Sequence, residues 1–294
     1  MKRILTTAVA LSLVFTSLLA APRSLPPALE GDSISQCPFD SSDEKLLARC
    51  LIRPVLRGGN SGPIPSELPE TLKELIGQPM NVTLVRLRQY LADNGITDHN
   101  SVGGEVKQDV TKVRFFVIHD TSSPEISAAN FPANMNEATW VGNRLSNWVQ
   151  SDTPTHVFVN RVGESAMKTN FKDVVGATRY EAGRDFSAPI ARRQARDRRR
   201  GLFVHIELIQ PRRRTNPSSA YFDIPPSPGF TQQQLDRLAL LYVVASVRAG
   251  RWLLPAFHLS VDATIPGAHD DPQNFEMETW LESLDTLLGE LRQG

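Results

Sequence analysis

Short extended segments and helical segments alternate along residues 113 to 292 of this 294-residue chain, and this alternation limits the fold more than any other feature. Strands are predicted at 114–119, 157–160 and 202–209, where apolar residues form short runs. Helices are predicted where apolar residues recur every three or four positions, over 136–149, 231–249 and 275–291. Strands interleaved with helices predict an α/β fold with a mixed central sheet flanked by helices.

Two of these helices carry more specific signals. In the segment 136–149, Val141, Leu145 and Trp148 form an apolar stripe, which we expect to face the core. Thr231 is placed to cap the helix over 231–249, because a threonine hydroxyl can accept a hydrogen bond from the first free backbone N–H groups.

A loop-rich N-terminal extension, residues 21–108, precedes the main domain at 109–294. Its first part is rich in proline, glycine and serine, which favour loops. Short helices are predicted near Ser42, over 66–76 and over 82–91. The extension is therefore expected to be small and helical.

Residues 1–20 have the pattern of a signal peptide. Lys2 and Arg3 precede an apolar stretch from Ile4 to Ala20 that is short for a membrane span. Cleavage is expected after Ala20, with an uncleaved anchor as the alternative. No cysteine follows directly, which argues against a lipid anchor, and no later stretch is apolar enough to span a bilayer. We therefore expect an exported protein, periplasmic or secreted, without a membrane span after cleavage.

The chain has two cysteines, Cys37 and Cys50, both in the extension. In an exported protein an even pair favours a disulfide. No histidine lies near them in the sequence, which argues against a zinc role. The disulfide would stabilise the extension by about 3 kcal/mol in the chain-entropy model.

The formal charge is zero but unevenly distributed. Residues 179–214 contain eleven arginines and four acids, whereas residues 215–294 contain ten acids and four basic residues. The arginine-rich segment is either a surface for a polyanion or a solvated loop. Export and a sequence pI of about 7.0 disfavour a nucleic-acid partner.

Three residues have the chemistry of a metal site. His119 ends the apolar run 113–118, His258 ends the apolar run 253–257, and Asp271 follows a Pro-Gly turn. Two imidazoles and one carboxylate are the ligand set of a catalytic zinc, which keeps a fourth position open. Three residues far apart in the sequence are weak evidence for a metal site, so the sequence around each of them has to be considered.

The surrounding sequence resembles the zinc-dependent N-acetylmuramoyl-L-alanine amidases of the type-2 amidase family, over roughly residues 110 to 292. Four blocks occur in the family's order: 116–122 with His119, 155–163, 204–208 with Glu207, and 258–275 with His258 and Asp271. The resemblance implies that Zn²⁺ is held by His119, His258 and Asp271. It implies hydrolysis of the amide between N-acetylmuramic acid and L-alanine in peptidoglycan or its fragments.

Two further residues receive catalytic roles from the resemblance. Glu207 is the implied general base, and a glutamate inside an apolar strand is costly unless it is paired or functional. Its alternative role is an ion pair with an arginine. His269 occupies the position at which many family members have an oxyanion-stabilising lysine. It could stabilise the oxyanion or protonate the leaving nitrogen, and the alternative is a solvent-exposed turn histidine.

The chain departs from the family pattern at two places. Residues 259–265 look like an insertion between His258 and the turn, which leaves Asp270, His269 and Asp262 as competitors of Asp271 for the third ligand position. His205 stands where the family usually has a small residue, and alternation places it beside Glu207, near the metal. It could contact substrate, orient Glu207 or narrow the cleft. His156 is interpreted as structural or as a support for the ligands, not as a ligand.

Other functions remain open at this stage. A non-catalytic peptidoglycan or muropeptide-binding protein of the same fold is the alternative, although all three ligands and the glutamate are in place. Another exported zinc peptidase is disfavoured because the His-Glu-x-x-His motif is absent from the sequence. The sequence does not indicate an oligomeric state.

Overall fold

A five-stranded mixed sheet lies at the centre of the protein in the computed structural model, which describes residues 36–127, 129–214 and 222–293. The strands of the described residues are β1 Phe115–Asp120, β2 Glu125–Ile126, β3 Val157–Val159, β4 Ser165–Met167, β5 Phe203–Leu208, β6 Arg212–Arg214, β7 Phe222–Ile224 and β8 Leu254–Phe257. The central sheet has the order β4-β3-β5-β1-β8, with β4 antiparallel to β3 and the other neighbours parallel. The predicted α/β fold with a mixed central sheet is confirmed.

The two middle strands, β1 and β5, are buried along their whole length. Because every position of both strands is buried, alternation does not separate a buried face from a solvated one; it decides on which side of the sheet each side chain lies. In the register of these two parallel strands, His119 lies directly beside Glu207. The pairing thus places two of the predicted site residues side by side.

Eight α-helices are assigned among the described residues: α1 Glu44–Leu51, α2 Glu70–Leu75, α3 Leu84–Asp93, α4 Leu145–Val149, α5 Pro189–Arg199, α6 Gln232–Ala249, α7 His258–Val261 and α8 Met277–Gln293. Helix α6 begins as predicted, with a capping box between Thr231 and Gln234, and ends at Gly250 in the left-handed region. Helix α8 packs against α6 and buries Trp280 and Leu284. Both predicted C-terminal helices are confirmed.

The N-terminal extension contains the three predicted short helices, α1 to α3, each beginning a few residues later than expected. Asp43 and Thr83 accept hydrogen bonds that cap α1 and α3. Cys37 and Cys50 form the predicted disulfide, with Cα atoms 5.7 Å apart. Leu47 of α1 and residues of α2 and α3 belong to the same hydrophobic core as the central sheet. The extension therefore packs on the main domain and shares its core.

The predicted helix over 136–149 is wrong for most of its length, since only Leu145–Val149 is α-helical. The segment contains a 3₁₀ turn, Val141–Asn143, followed by the short helix α4. Val141 is 61% exposed, so the proposed stripe does not enter the core. Polar bonding replaces helical bonding here: the Asn143 amide donates to two backbone carbonyl groups, and the Trp148 indole donates to the carbonyl oxygen of Gly142.

Several elements were not predicted: strands β4 and β8, the short helix α7, helix α5 and a second sheet. A second sheet has the order β2-β6-β7. Helix α5 lies in the arginine-rich segment and buries only Ala195, so its sequence has no apolar stripe to reveal it. In the described parts of the chain, no helix has the length and apolar character that crossing a bilayer requires. The predicted signal peptide, residues 1–20, lies outside the described residues.

Candidate metal centre

His119 and His258 lie next to each other at the C-terminal ends of the neighbouring strands β1 and β8. β1 and β8 are parallel neighbours paired through Ile118 and Phe257, so the residue that follows each pair lies at the same level. The Nδ1 atoms of the two histidines are 3.0 Å apart, and both side chains are buried. Residues separated by 139 positions are thus brought together by strand pairing.

Asp271 completes a group of three. Its Oδ1 lies 3.0 Å from Nδ1 of His258, and its Oδ2 lies 3.5 Å from Nδ1 of His119. Tetrahedral ligands with bonds of about 2.0 to 2.2 Å are separated by roughly 3.4 Å, and these separations are similar. Within the described residues, His119, His258 and Asp271 are the group whose donor atoms could hold a metal ion.

The competing aspartates have other partners. Asp270 is exposed, and its Oδ2 accepts a hydrogen bond from the Gln273 amide at 2.7 Å. Asp262 is buried on the far side of His258, with Oδ2 3.2 Å from Nε2 of that histidine. The chain after the turn therefore brings Asp271, not its neighbour, to the two histidines.

The cluster needs a positive charge, either a proton or a metal cation. Burial opposes charge on His258, but Asp271 and Asp262 outweigh it and raise its pKa to about 10. Burial, with the nearby His258, lowers the pKa of His119 to about 3. Burial also opposes charge on Asp271, but the two histidines hold its pKa far below the usual range. A metal would therefore displace a proton from His258, as metal binding commonly does.

Glu207 stands beside the cluster with a free oxygen. Its Oε1 is 3.9 Å from Nδ1 of His119, and its buried Oε2 has no hydrogen-bond partner among the described residues. Burial raises its pKa well above the usual value, and Asp271 and Asp120 add to the effect. The ion pair with an arginine, the alternative role, is not formed within the described residues. A buried, unpartnered carboxylate here can accept or return a proton.

His205 lies behind His119, away from Asp271. Its Nδ1 is 3.0 Å from Nε2 of His119, and its Nε2 is 2.9 Å from Oε2 of Glu181. The side chain has no exposed surface, so it neither contacts substrate nor narrows a cleft. The expected proximity to the metal residues is present, but the partner of His205 is His119 and not Glu207.

His156 lies next to His205 and further from the metal cluster. Its Nδ1 accepts the backbone N–H of His205 at 3.0 Å, and its Nε2 bonds the carbonyl oxygen of Asp173 at 3.1 Å. Burial, followed by the influence of His205, lowers its pKa to about 3. Both nitrogens are engaged, so His156 is structural, in line with its interpretation from the sequence.

His269 lies at the surface, beside the buried cluster. Its side chain is 65% exposed, with Nδ1 3.9 Å from Oδ1 of Asp271. Its ring lies over that of His258, with centroids 4.8 Å apart. It is therefore an exposed imidazole that contacts His258 and lies close to Asp271.

The loop that carries Asp271 is fixed from two sides, which the sequence did not suggest. Asp120, paired with Arg212 at 2.5 Å, accepts the backbone N–H of Gln273 at 2.8 Å. From the N-terminal extension, the backbone N–H of Gly58 donates to the Gln273 side chain at 2.9 Å. Asp120 could have been found from the sequence, because it directly follows the metal-site residue His119. The contact between the extension and Gln273 could not, because nothing in the neighbouring sequence indicates it.

Comparison of the chain with protein-family models, with curated proteins and with solved structures gave no match. The similarity to the type-2 amidases therefore depends on the four sequence blocks alone.

Proposed function

We propose that the protein is a zinc-dependent hydrolase that cleaves the amide between N-acetylmuramic acid and L-alanine. The observation that carries the proposal is the convergence of His119, His258 and Asp271 beside the unpartnered carboxylate of Glu207. Two nitrogen ligands and one oxygen ligand, with a fourth position open, are the donor set of catalytic zinc. When bound, zinc supplies Lewis acidity, which activates water and polarises a carbonyl group.

The protein's own residues would move the protons. Glu207, with its raised pKa and free Oε2, accepts a proton from the attacking water and returns it to the departing amine. His269, exposed beside the cluster, donates a hydrogen bond to the oxygen that becomes negative. The buried carboxylate of Glu207 thus transfers the proton, and the exposed imidazole of His269 stabilises the negative oxygen.

The choice of substrate is supported by the sequence blocks and by the signal-peptide pattern, which would place the enzyme with the cell wall. The arginine-rich segment adds a weaker argument. Arg193, Arg196 and Arg198 of α5 are exposed and could contact an anionic wall. Arg212 and Arg199 are engaged with Asp120 and Asp185, so the segment is not one continuous basic surface.

Purified protein without residues 1–20 should be incubated with purified peptidoglycan, with zinc and with a chelator. Mass spectrometry is expected to find stem peptides with a free L-alanine amino group, together with glycan bearing free lactyl carboxylates, only when zinc is present. Glu276→Gln, the same change at a partly buried glutamate outside the cluster, serves as the control for Glu207→Gln. Zinc binding without cleavage, but with sedimentation alongside the wall, would favour a peptidoglycan-binding protein instead.

A further inference from the structure

The two metal-site histidines are each supported from behind by a carboxylate. For His258 the support is direct, since Oδ2 of Asp262 lies 3.2 Å from Nε2. For His119 the support passes through His205 to Glu181, with separations of 3.0 and 2.9 Å. Asp262 and His205 are the places where the chain departs from the amidase pattern, one in the apparent insertion and one on β5.

The donor and acceptor roles in the hydrogen-bonded series His119–His205–Glu181 can be assigned by starting from Glu181. Oε2 of Glu181 accepts hydrogen bonds from the backbone N–H and the hydroxyl of Thr178, at 3.2 and 3.1 Å. The Nε2–H direction of His205 is not well aligned with this oxygen, but Nε2 lies 2.9 Å from it, which is too short for two facing lone pairs. The hydrogen must therefore be on Nε2 of His205.

The remaining hydrogens follow in order. A neutral imidazole has one donor and one acceptor nitrogen. With its hydrogen on Nε2, His205 accepts at Nδ1, so His119 donates from Nε2 and keeps a lone pair on Nδ1. In the same way Asp262 holds the hydrogen of His258 on Nε2. Without a metal, the 3.0 Å separation of the two Nδ1 atoms requires a proton between them. Once a metal displaces that proton, both Nδ1 lone pairs are available, together with Asp271, to hold the ion.

His205 is held firmly enough to transmit this constraint. It is fully buried, its backbone N–H is bonded to His156, and its ring lies parallel to that of His156 at 5.7 Å, with an interplanar angle of 13°. Its ring is also parallel to that of Phe203. Rotation of the imidazole away from His119 would disrupt these contacts.

Both supports end on the same short segment. Asp262 accepts the backbone N–H groups of Arg179 and Tyr180, each at 2.9 Å. Glu181 is the next residue and is bonded to Thr178. Residues 178–181 thus hold the carboxylate behind each histidine.

We propose that Asp262, Glu181 and His205 are positioning residues that fix the Nε2–H tautomer of His258 and His119 and thereby set metal affinity, with residues 178–181 as their common anchor. The inference rests on the proposed metal centre and concerns no substrate. Supporting residues of this kind typically change metal affinity by about 10- to 100-fold when removed.

The test measures zinc affinity by chelator competition in the full chain. Glu181→Gln and Asp262→Asn keep the shape of each side chain but remove the charge, and each is expected to lower zinc affinity by about 10- to 100-fold. Thr178→Val, a milder change that removes one hydrogen bond to Glu181, should give a smaller loss in the same direction. Glu276→Gln is the matched control, because that carboxylate accepts backbone N–H groups of Gly229 and Phe230 and supports no histidine.

A second readout separates positioning from general stability. In the zinc-loaded wild type, ¹⁵N NMR should show His119 and His258 with hydrogen on Nε2, and Glu181→Gln should speed exchange of the His119 Nε2 hydrogen. If the wild type binds zinc and the folded carboxylate variants bind it equally well within twofold, the positioning role is refuted while the metal centre stands. If the wild type binds no zinc, the metal centre and this inference are refuted together.

Discussion

A β-carbon added to Gly59 would lie 2.2 Å from Oδ2 of Asp270, so the N-terminal extension is in close contact with the loop that carries Asp271. Gly58, its neighbour, has nothing within 4 Å of the same added atom. Both glycines have positive φ angles, 79° for Gly59 and 89° for Gly58. The two positions therefore differ in packing while sharing the same backbone requirement.

This pair provides the first prediction. Gly58→Ala and Gly59→Ala should each cost about 1 kcal/mol of stability from backbone strain. Only Gly59→Ala should also displace Asp270 and the adjacent Asp271, and so lower zinc affinity several-fold. Thermal melts and chelator competition measure the two effects. Equal zinc affinity in both variants would show that the extension does not position the loop.

The second prediction concerns the ligands. His119→Ala, His258→Ala and Asp271→Ala should each bring zinc content close to zero, because each removes one of three converging donors. Asp270→Ala should retain zinc, since its carboxylate faces Gln273. Metal analysis after dialysis gives the answer, and zinc loss in Asp270→Ala together with retention in Asp271→Ala would reverse the assignment.

The third prediction separates chemistry from binding. Glu207→Gln should keep the fold and the zinc but lose turnover by roughly 10²- to 10⁴-fold, the usual contribution of a general base. Release of stem peptide from peptidoglycan provides the rate. A rate within a few-fold of the wild type would leave Glu207 with a structural role only.

The fourth prediction is a pH dependence of stability. Burial raises the pKa of Glu207 in the folded protein well above its ordinary value of 4.5. The folded state then binds the proton more tightly than the unfolded state. Its contribution to stability is complete below about pH 4.5 and is lost as the pH rises through the folded pKa. In a chelator, Glu207→Gln should therefore melt higher than the wild type at pH 8, and the difference should shrink at pH 4. A lower melting temperature for the variant at both pH values would contradict this.

The fifth prediction concerns the disulfide between Cys37 and Cys50, which are 13 positions apart. Replacing both cysteines by serine should destabilise the protein by about 3 kcal/mol in the chain-entropy model, without changing zinc content. Denaturant unfolding and metal analysis test the two parts. Thiol titration of unfolded, unreduced wild-type protein should detect no free thiol; two thiols would show that the bond does not form in solution.

Local signals were sufficient for some elements. Thr231 and Gln234 form a capping box before a periodic apolar sequence, so α6 was predictable from neighbouring residues. Helix α5 was not, because arginines dominate it and only Ala195 is buried. Val141 has the spacing of a core residue, but Asn143 supplies polar bonds that favour turns over a continuous helix.

Some residues of the candidate site could also be predicted from the sequence, and others could not. His119 and His258 were identifiable because an imidazole at the end of an apolar run has little structural purpose. Glu181 carries no such mark, because its contact with His205 arises only when the loop before α5 folds against β5. Long-range contacts of this kind have no pattern in the neighbouring sequence.

The positions of the three candidate ligands in the fold have a consequence for the rates at which a metal ion would bind and dissociate. His119 lies near the end of β1, and His258 follows the last residue of β8 directly, as the first residue of α7. Asp271, by contrast, belongs to a loop held by Asp120 and by the extension. Loops open at lower free energy than the strands of a core. An ion can therefore enter or leave by displacement of one ligand while two remain in place. The residence time of a bound metal would therefore depend on that loop and on the segment that braces it more than on the sheet.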